Sequence, residues 1–293
     1  MKKWSLCDHF LCVKSQRHHN IYNVSVKNLY LFTKLTILSG VRNRAIWLIL
    51  FIEGLLLGVA YLAGSFSGRQ PVIVSLDVGY SGVRIGLMFL ALAWTQELLQ
   101  KDLDRKTVHW SLSYPCARSI FLAGKLVGIA LLLLFAAILF AMPLALIAKY
   151  ANWGYIGLVQ PNLSAFPITI MGLWLESIVI LAFTVCMACI STTPFLAIGL
   201  GLMFSLAGRG LAATLNFLQF SDSVDPEYTT TFIPIANFLR WLLPDLSALD
   251  WRQAVLYSNW AGLEPKAALI MASGYTLIFT ALAMQIFRRR ALN

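Results

Sequence analysis

Six long, largely apolar runs dominate the chain, over about 45–65, 79–99, 120–148, 167–190, 193–217 and 267–287. A helix rises 1.5 Å per residue, so about 20 apolar residues cross the roughly 30 Å hydrocarbon layer of a membrane. In that layer the backbone must satisfy its own hydrogen bonds, and a helix does so within one segment. The sequence therefore predicts an all-α integral membrane fold with six transmembrane helices. The third run is long enough to tilt or to begin as an interfacial helix. Composition excludes the alternatives. Of 293 residues 59% are apolar and only 12% are charged, against about 25% charged in an average soluble domain. That is too apolar for a disordered chain or for a small disulfide-stapled one.

The formal net charge of +10 first suggests a nucleic-acid partner, but its distribution points to membrane topology. Residues 1–44 carry Lys2, Lys3, Lys14, Arg17, Lys27, Lys34, Arg42 and Arg44, the second connection carries Lys101, Arg105, Lys106 and Arg118, and the tail ends in Arg288, Arg289 and Arg290. The opposite loops are poor in base: Arg69 in the first, Lys149 at the edge of the second, and Arg240, Arg252 and Lys266 among six acids in the third. Basic loops stay inside, so both termini are expected in the cytoplasm of a multi-pass inner-membrane protein, with anionic lipid headgroups and not nucleic acid as the partner of the charge. Cys7, Cys12, Cys116, Cys186 and Cys189 all fall on or near the cytoplasmic side, and no structural disulfide is expected. The first apolar run starts too late to read as a signal peptide.

Residues 1–23 read as a polar cytoplasmic leader. Cys7, His9, Cys12, His18 and His19 there match no standard zinc spacing. Over 24–44, Val26, Leu29, Tyr30, Thr33 and Ile37 recur at helical spacing, with Lys27 and Lys34 on another face. This predicts an amphipathic helix in the cytoplasmic interface, broken at Ser39-Gly40. The rest, 45–293, is the six-span unit. Its second connection, 100–119, suits a short helix that Pro115 ends. The outer loop, 218–266, is too long to lack structure. Phe232–Leu243 and a segment opened by a Ser247-x-x-Asp250 capping box are its expected helices, with Trp241, Trp251, Tyr257 and Trp260 at headgroup depth.

Catalytic signatures are absent. The sequence contains no H-E-x-x-H, no G-x-S-x-G and no phosphate-binding glycine loop; Ala123-Gly124-Lys125-Leu126 lacks the hydroxyl and the first glycine of one. No catalytic residue and no metal site are expected, and any ATP must be hydrolysed by another chain. Glu53, Arg84, Glu176 and Arg209 lie inside spans, where an unpaired charge costs at least about 2.5–3.5 kcal/mol. Glu53 and Glu176 fall near mid-depth, Arg84 and Arg209 in the outer half. They either line a translocation path or form structural Glu–Arg pairs. In the fifth run Ala197, Gly201 and Ser205 make a small-residue stripe, for packing within one bundle or across a dimer.

The stretch from Gln96-Glu97 through Asp102-Leu103-Asp104-Arg105-Lys106-Thr107 and Trp110 to Pro115-Cys116-Ala117-Arg118, followed by Gly124-Lys125, resembles the first cytoplasmic loop of ABC-2 type permeases. These are membrane subunits of ATP-binding-cassette exporters. Lys106-Thr107, Pro115, Arg118 and Gly124-Lys125 match its spacing, while Asp104-Arg105-Lys106 stands where many relatives have Glu-x-Gly. Leu38–Arg44 resembles the family's elbow into the first span, and Leu242-Leu243-Pro244-Asp245-Leu246 its motif before the last. The resemblance covers about 24–293. It implies a permease paired with a second, identical or homologous, permease and driven by two copies of an ATPase subunit, which bind the ATP and magnesium; this chain needs no cofactor. It implies a coupling helix over 100–113, with Glu97, Lys101, Asp102, Asp104, Arg105, Lys106, Thr107, Trp110, Pro115 and Arg118 at the ATPase contact, and a smaller contact at 191–194. Two other readings stay open: a proton-coupled transporter using Glu53 and Glu176, and a lipid-modifying membrane enzyme using Asp222, Asp225, Glu227, Asp245 or Asp250.

Overall fold

The computed structural model of the chain describes residues 27–68, 70–104, 118–150, 161–191, 193–220, 243–260 and 264–289. Among them every regular element is helical. Helix α1 covers residues 27–42. It is followed by α2 (Arg44–Phe66), α3 (Pro71–Thr95), a π-helical turn (Gln96–Gln100) and α4 (Lys101–Asp104). Then come α5 (Arg118–Tyr150), a 3-10 turn (Leu163–Ala165), α6 (Phe166–Ile190) and α7 (Pro194–Phe220). A second 3-10 turn (Leu246–Leu249), α8 (Arg252–Leu256) and α9 (Pro265–Arg289) complete the order.

Five helical stretches are long and apolar enough to cross a membrane: Ile46–Phe66, Pro71–Gln100, Arg118–Lys149, Leu163–Ile190 and Pro265–Arg289. The fifth run of the sequence becomes α7, whose apolar part, Phe195–Gly210, is shorter. The second span starts earlier than its apolar run, at Pro71, because a proline at the first helical position gives up no internal hydrogen bond. Pro194 and Pro265 open α7 and α9 in the same way. Arg288 and Arg289 close α9, where cations oppose the partial negative charge of a helix end.

Helices α3 and α6 form the centre of the bundle. Helix α3 packs on α2, α5, α6 and α7, and α6 on α3, α5, α7 and α9. Tyr80, Leu87, Leu90, Leu133, Leu144 and Leu173 are fully buried between them and α5. The outward faces stay apolar, with Trp47, Phe51, Leu55 and Leu62 exposed on α2 and Ile270 and Leu277 on α9, as a lipid-facing surface requires. The small stripe of α7 is used within the chain. Ala197, Gly201 and Ser205 are buried, and a Cβ on Gly201 would lie 2.5 Å from Thr184 Oγ1 and 2.6 Å from Leu92 Cδ2.

Two sequence expectations are corrected here. Ser39-Gly40 does not break the first helix, which runs to residue 42. Gly40 instead admits α5 and α3, since a Cβ there would meet Leu132 Cδ1 at 2.4 Å and Trp94 Nε1 at 3.3 Å. Helix α1 is docked on α5 along Phe32, Thr33, Thr36 and Gly40, and Tyr30 is exposed. The Ser247-x-x-Asp250 capping box does not form either. Asp245 caps the 3-10 turn by accepting from the Ser247 amide at 3.0 Å, and Asp250 sits past that turn with its carboxylate turned to arginines. Trp251 is buried, its Nε1 donating to the Ala248 carbonyl at 2.9 Å. Phe232–Leu243 lies largely outside the described residues, as do the leader and 105–117.

The α1–α5 contact is close at two glycines. A Cβ on Gly124 would approach Phe32 Cβ at 2.7 Å, and one on Gly128 would approach Thr36 Cβ at 2.7 Å. Gly128→Val should therefore cost about 1–3 kcal/mol of stability by overpacking. Gly58→Val on α2, where nothing lies within 4 Å, should leave the melting midpoint of detergent-solubilised protein close to wild type. Equal midpoints for the two variants would contradict the docking of α1.

Candidate functional site

Ionised groups collect where three long helices meet the short segment 243–256. On α3, Asp77, Ser81 and Arg84 follow one another at i, i+4 and i+7 and so share a face. Helix α6 contributes Glu176, α7 contributes Arg209, and the segment contributes Asp250 and Arg252. Backbone contacts seat the segment. Thr169 Oγ1 donates to the Trp251 carbonyl at 3.2 Å, and the Asn162 amide donates to the Val255 carbonyl at 2.7 Å. Gly172 allows the Leu249 carbonyl within 2.4 Å of where a Cβ would stand. Gly208 does the same for Leu246 and the Pro244 carbonyl at 3.0 Å.

Asp250 is the hub. Its Oδ2 accepts from Arg84 Nη2, from Arg209 Nη2 at 3.0 Å and from Arg252 Nε at 2.9 Å. Each arginine also faces a second acid. Arg209 Nε donates to Glu176 Oε1 at 2.9 Å, and Arg252 Nη1 donates to Asp77 Oδ1 at 2.7 Å and to Ser81 Oγ at 3.0 Å. Arg84 Nε stands 3.9 Å from Glu176 Oε2, and among the described residues neither of those two buried atoms has a hydrogen-bond partner. Three guanidinium groups thus face three carboxylates. Burial pushes the Asp250 carboxyl up to about 6, with the Arg252 backbone amide pulling it down and Asp77 adding to the rise. The cluster is open on one side, where the Asp77 side chain is 51% exposed.

The structure brings together three of the four ionisable residues expected inside spans: Arg84, Glu176 and Arg209. Glu53 stands apart. It is buried on α2 against the backbone of α3, where a Cβ on Gly86 would fall 2.1 Å from its Oε2. Among the described residues it joins no ion pair, and its Oε1 has no hydrogen-bond partner. Sequence reasoning missed Asp77, Asp250 and Arg252 as members of the cluster, because Asp77 falls just ahead of the second apolar run and the other two lie in the long outer loop. The i, i+4, i+7 spacing of Asp77, Ser81 and Arg84 was the available signal.

A second cluster lies toward the other end of α3, about 20–27 Å away by helical rise from Arg84 to Glu97 and Asp102. Here α3 runs through the π turn into α4, with the Lys101 amide donating to the Gln96 carbonyl. Lys101 Nζ pairs with Glu97 Oε2 at 2.8 Å on the half-exposed side. Lys125 of α5 donates to Asp102 Oδ2 at 2.7 Å and to the Leu98 carbonyl at 2.7 Å, and its Nζ lies 5.6 Å from the centre of the Phe121 ring. Asp104 ends α4 and Arg118 starts α5. Arg105, Lys106, Thr107, Trp110 and Pro115 lie outside the described residues. Among the described residues no group of His, Cys, Asp and Glu is arranged to hold a metal ion.

No curated protein matches the chain. The family model described as ABC-2 family transporter protein matches residues 34–292, a range that takes in the second half of α1, the path from α3 into α4 and the arginine cluster. This multi-span membrane protein belongs to the ABC-2 family of transporter proteins.

Proposed function

We propose that the chain is the permease subunit of an ATP-driven exporter, moved by a separate ATPase that docks on the 100–113 segment. The observation that carries this reading is the unbroken helical path from Pro71 to Asp104. It is a stiff element that reaches from the arginine cluster to the basic connection. Lys125 ties that path to α5 just before it ends. A push on 100–113 would therefore move α3 and α5 together. In this reading α7 also crosses the membrane, as the fifth of six spans, and both termini and the basic connection face the cytoplasm at the inner membrane. Two ATPase copies bind ATP and magnesium, and a second permease completes the path. Glu97, Lys101, Asp102, Asp104, Arg105, Lys106, Thr107, Trp110, Pro115 and Arg118 form the docking and coupling surface, with no catalytic residue in this chain. Arg84 and Arg209 border the path in its outer half, and Glu53 and Glu176 near mid-depth.

The test is capture of an ATPase with a phosphate-binding glycine loop by the tagged, detergent-solubilised chain. Arg105→Glu combined with Trp110→Ala should lower capture by about 30-fold, the loss of roughly 2 kcal/mol expected of a charged and aromatic anchor. Lys125→Met should keep capture but lose any ATP-dependent change in tryptophan fluorescence. Wild-type protein that captures no ATPase, or a double variant that captures as well as wild type, would remove the reading.

One observation favours the proton-coupled alternative: Glu53 is buried, and among the described residues it joins no ion pair. On that reading, vesicles holding the wild-type chain alone should pass protons when a pH gradient is imposed, and Glu53→Gln should stop them. Proton-tight wild-type vesicles would eliminate it. The enzyme alternative gains nothing from its described acids, since Asp245 caps a turn and Asp250 is held by three arginines; Asp222, Asp225 and Glu227 lie outside the described residues.

A further inference from the structure

We infer that Arg84, Arg209 and Arg252 form a binding site for a phosphate-like oxyanion, in which the Asp250 side chain is the built-in occupant that such an anion displaces. The site is read from this chain's own side chains and stands independently of the export reading.

Three features separate this arrangement from an ordinary ion pair. First, all three guanidinium groups converge on one oxygen, Asp250 Oδ2, while Oδ1 meets only Arg252. Guanidinium groups bind oxyanions best two oxygens at a time. A tetrahedral oxyanion offers three or four oxygens, one or more for each arginine, so it fits the donors better than a carboxylate does. Arg84 Nε, buried and without a hydrogen-bond partner, is a donor that Asp250 leaves unused.

Second, two of the arginines keep an anchor when Asp250 leaves. Arg209 stays on Glu176 at 2.9 Å, and Arg252 on Asp77 and Ser81 at 2.7 and 3.0 Å. Arg84 stays near Glu176, at 3.9 Å. The donors are therefore held in place before the anion arrives, and the ordering cost falls. Third, the charge count favours exchange. Three arginines against Glu176 and Asp77 leave one positive charge once Asp250 is withdrawn, which suits an incoming anion. Asp250 has only its own side chain to swing aside, because its backbone is fixed between the 3-10 turn and α8.

The anion can come from a lipid headgroup or from a free solute, and the test separates them. Full-length Asp250→Asn protein in a neutral detergent is melted against sodium sulfate, with sodium chloride at equal ionic strength as the control. A parallel series uses short-chain phosphatidic acid against phosphatidylcholine of the same chain length. The variant should be half-saturated at no more than a tenth of the wild-type concentration, and adding Arg209→Gln should remove the gain. A response to both ligands assigns a general oxyanion site; a response to phosphatidic acid alone assigns a headgroup site. No gain over wild type, or a gain that survives Arg209→Gln, overturns the inference.

If Asp250→Asn fails to fold, wild-type protein supplies the second measurement. Sulfate keeps its charge between pH 8 and pH 5, while the Asp250 carboxyl, pushed up to about 6, gains its proton across that interval. The groups facing Asp250 are Asp77, Tyr80 and Arg84 on α3, Glu176 on α6, Arg209 on α7 and Arg252 on α8. Wild type should bind sulfate about tenfold tighter at pH 5 than at pH 8. Arg209→Gln should bind it weakly at both. Equal wild-type binding at the two values contradicts displacement of Asp250.

Discussion

A charge placed among apolar helices is tolerated only where an opposite charge meets it, and this constraint organises one end of the molecule. Arg84, Glu176 and Arg209 come from three helices that have little else polar at that level. Asp250 and Arg252 arrive from a short segment far along the chain and complete the balance. The consequence is mechanical. Lifting segment 243–256 would take Asp250 away from the half-buried Arg84 and Arg209, and Arg252 away from Asp77, so these ion pairs hold it down. The close backbone approaches at Gly172 and Gly208 act in the same direction. That end of α3, α6 and α7 is therefore held as one block.

The other end of α3 is built differently. The π turn over Gln96–Gln100 leads into α4, whose polar groups are half-exposed and paired locally, Glu97 with Lys101 and Asp102 with Lys125. Helix α1 reaches this region too, through Gly40 against Trp94 and Leu98. Here the helical path carries half-exposed charges, Glu97, Lys101 and Asp102, that a partner could grip from outside. A bundle pinned at one end and charged at the other suits a protein driven by a motor outside its own chain. The family assignment agrees with such an arrangement, and the docking itself is the proposal.

Much of the architecture was legible in the sequence because membrane spans are written in long, simple runs. The runs near 45–65, 120–148, 167–190 and 267–287 became helices with little change at their ends. What escaped was set by tertiary contact. Gly40 looks like a helix breaker in isolation, yet it is where α5 and Trp94 come close. Asp250 looks like the last residue of a capping box, yet three arginines on other elements compete for its carboxylate and outweigh one turn of local helix. Arg252 counted as a loop base until its partner on α3 was known. Local pattern cannot report a partner 175 residues away, the separation of Arg252 from Asp77. Glu53 was legible as an intramembrane acid, but its isolation from the arginines appears only in three dimensions.

The central claim is that force enters at the basic connection and not at the arginine-locked end. Position-specific photocrosslinking in native membranes tests it most directly, with a benzophenone side chain placed at Lys106 in one variant and at Tyr257, exposed near the opposite end, in another. The account predicts an adduct with an ATPase subunit from position 106 and none from position 257. An ATPase adduct from position 257, or none from position 106, would contradict it.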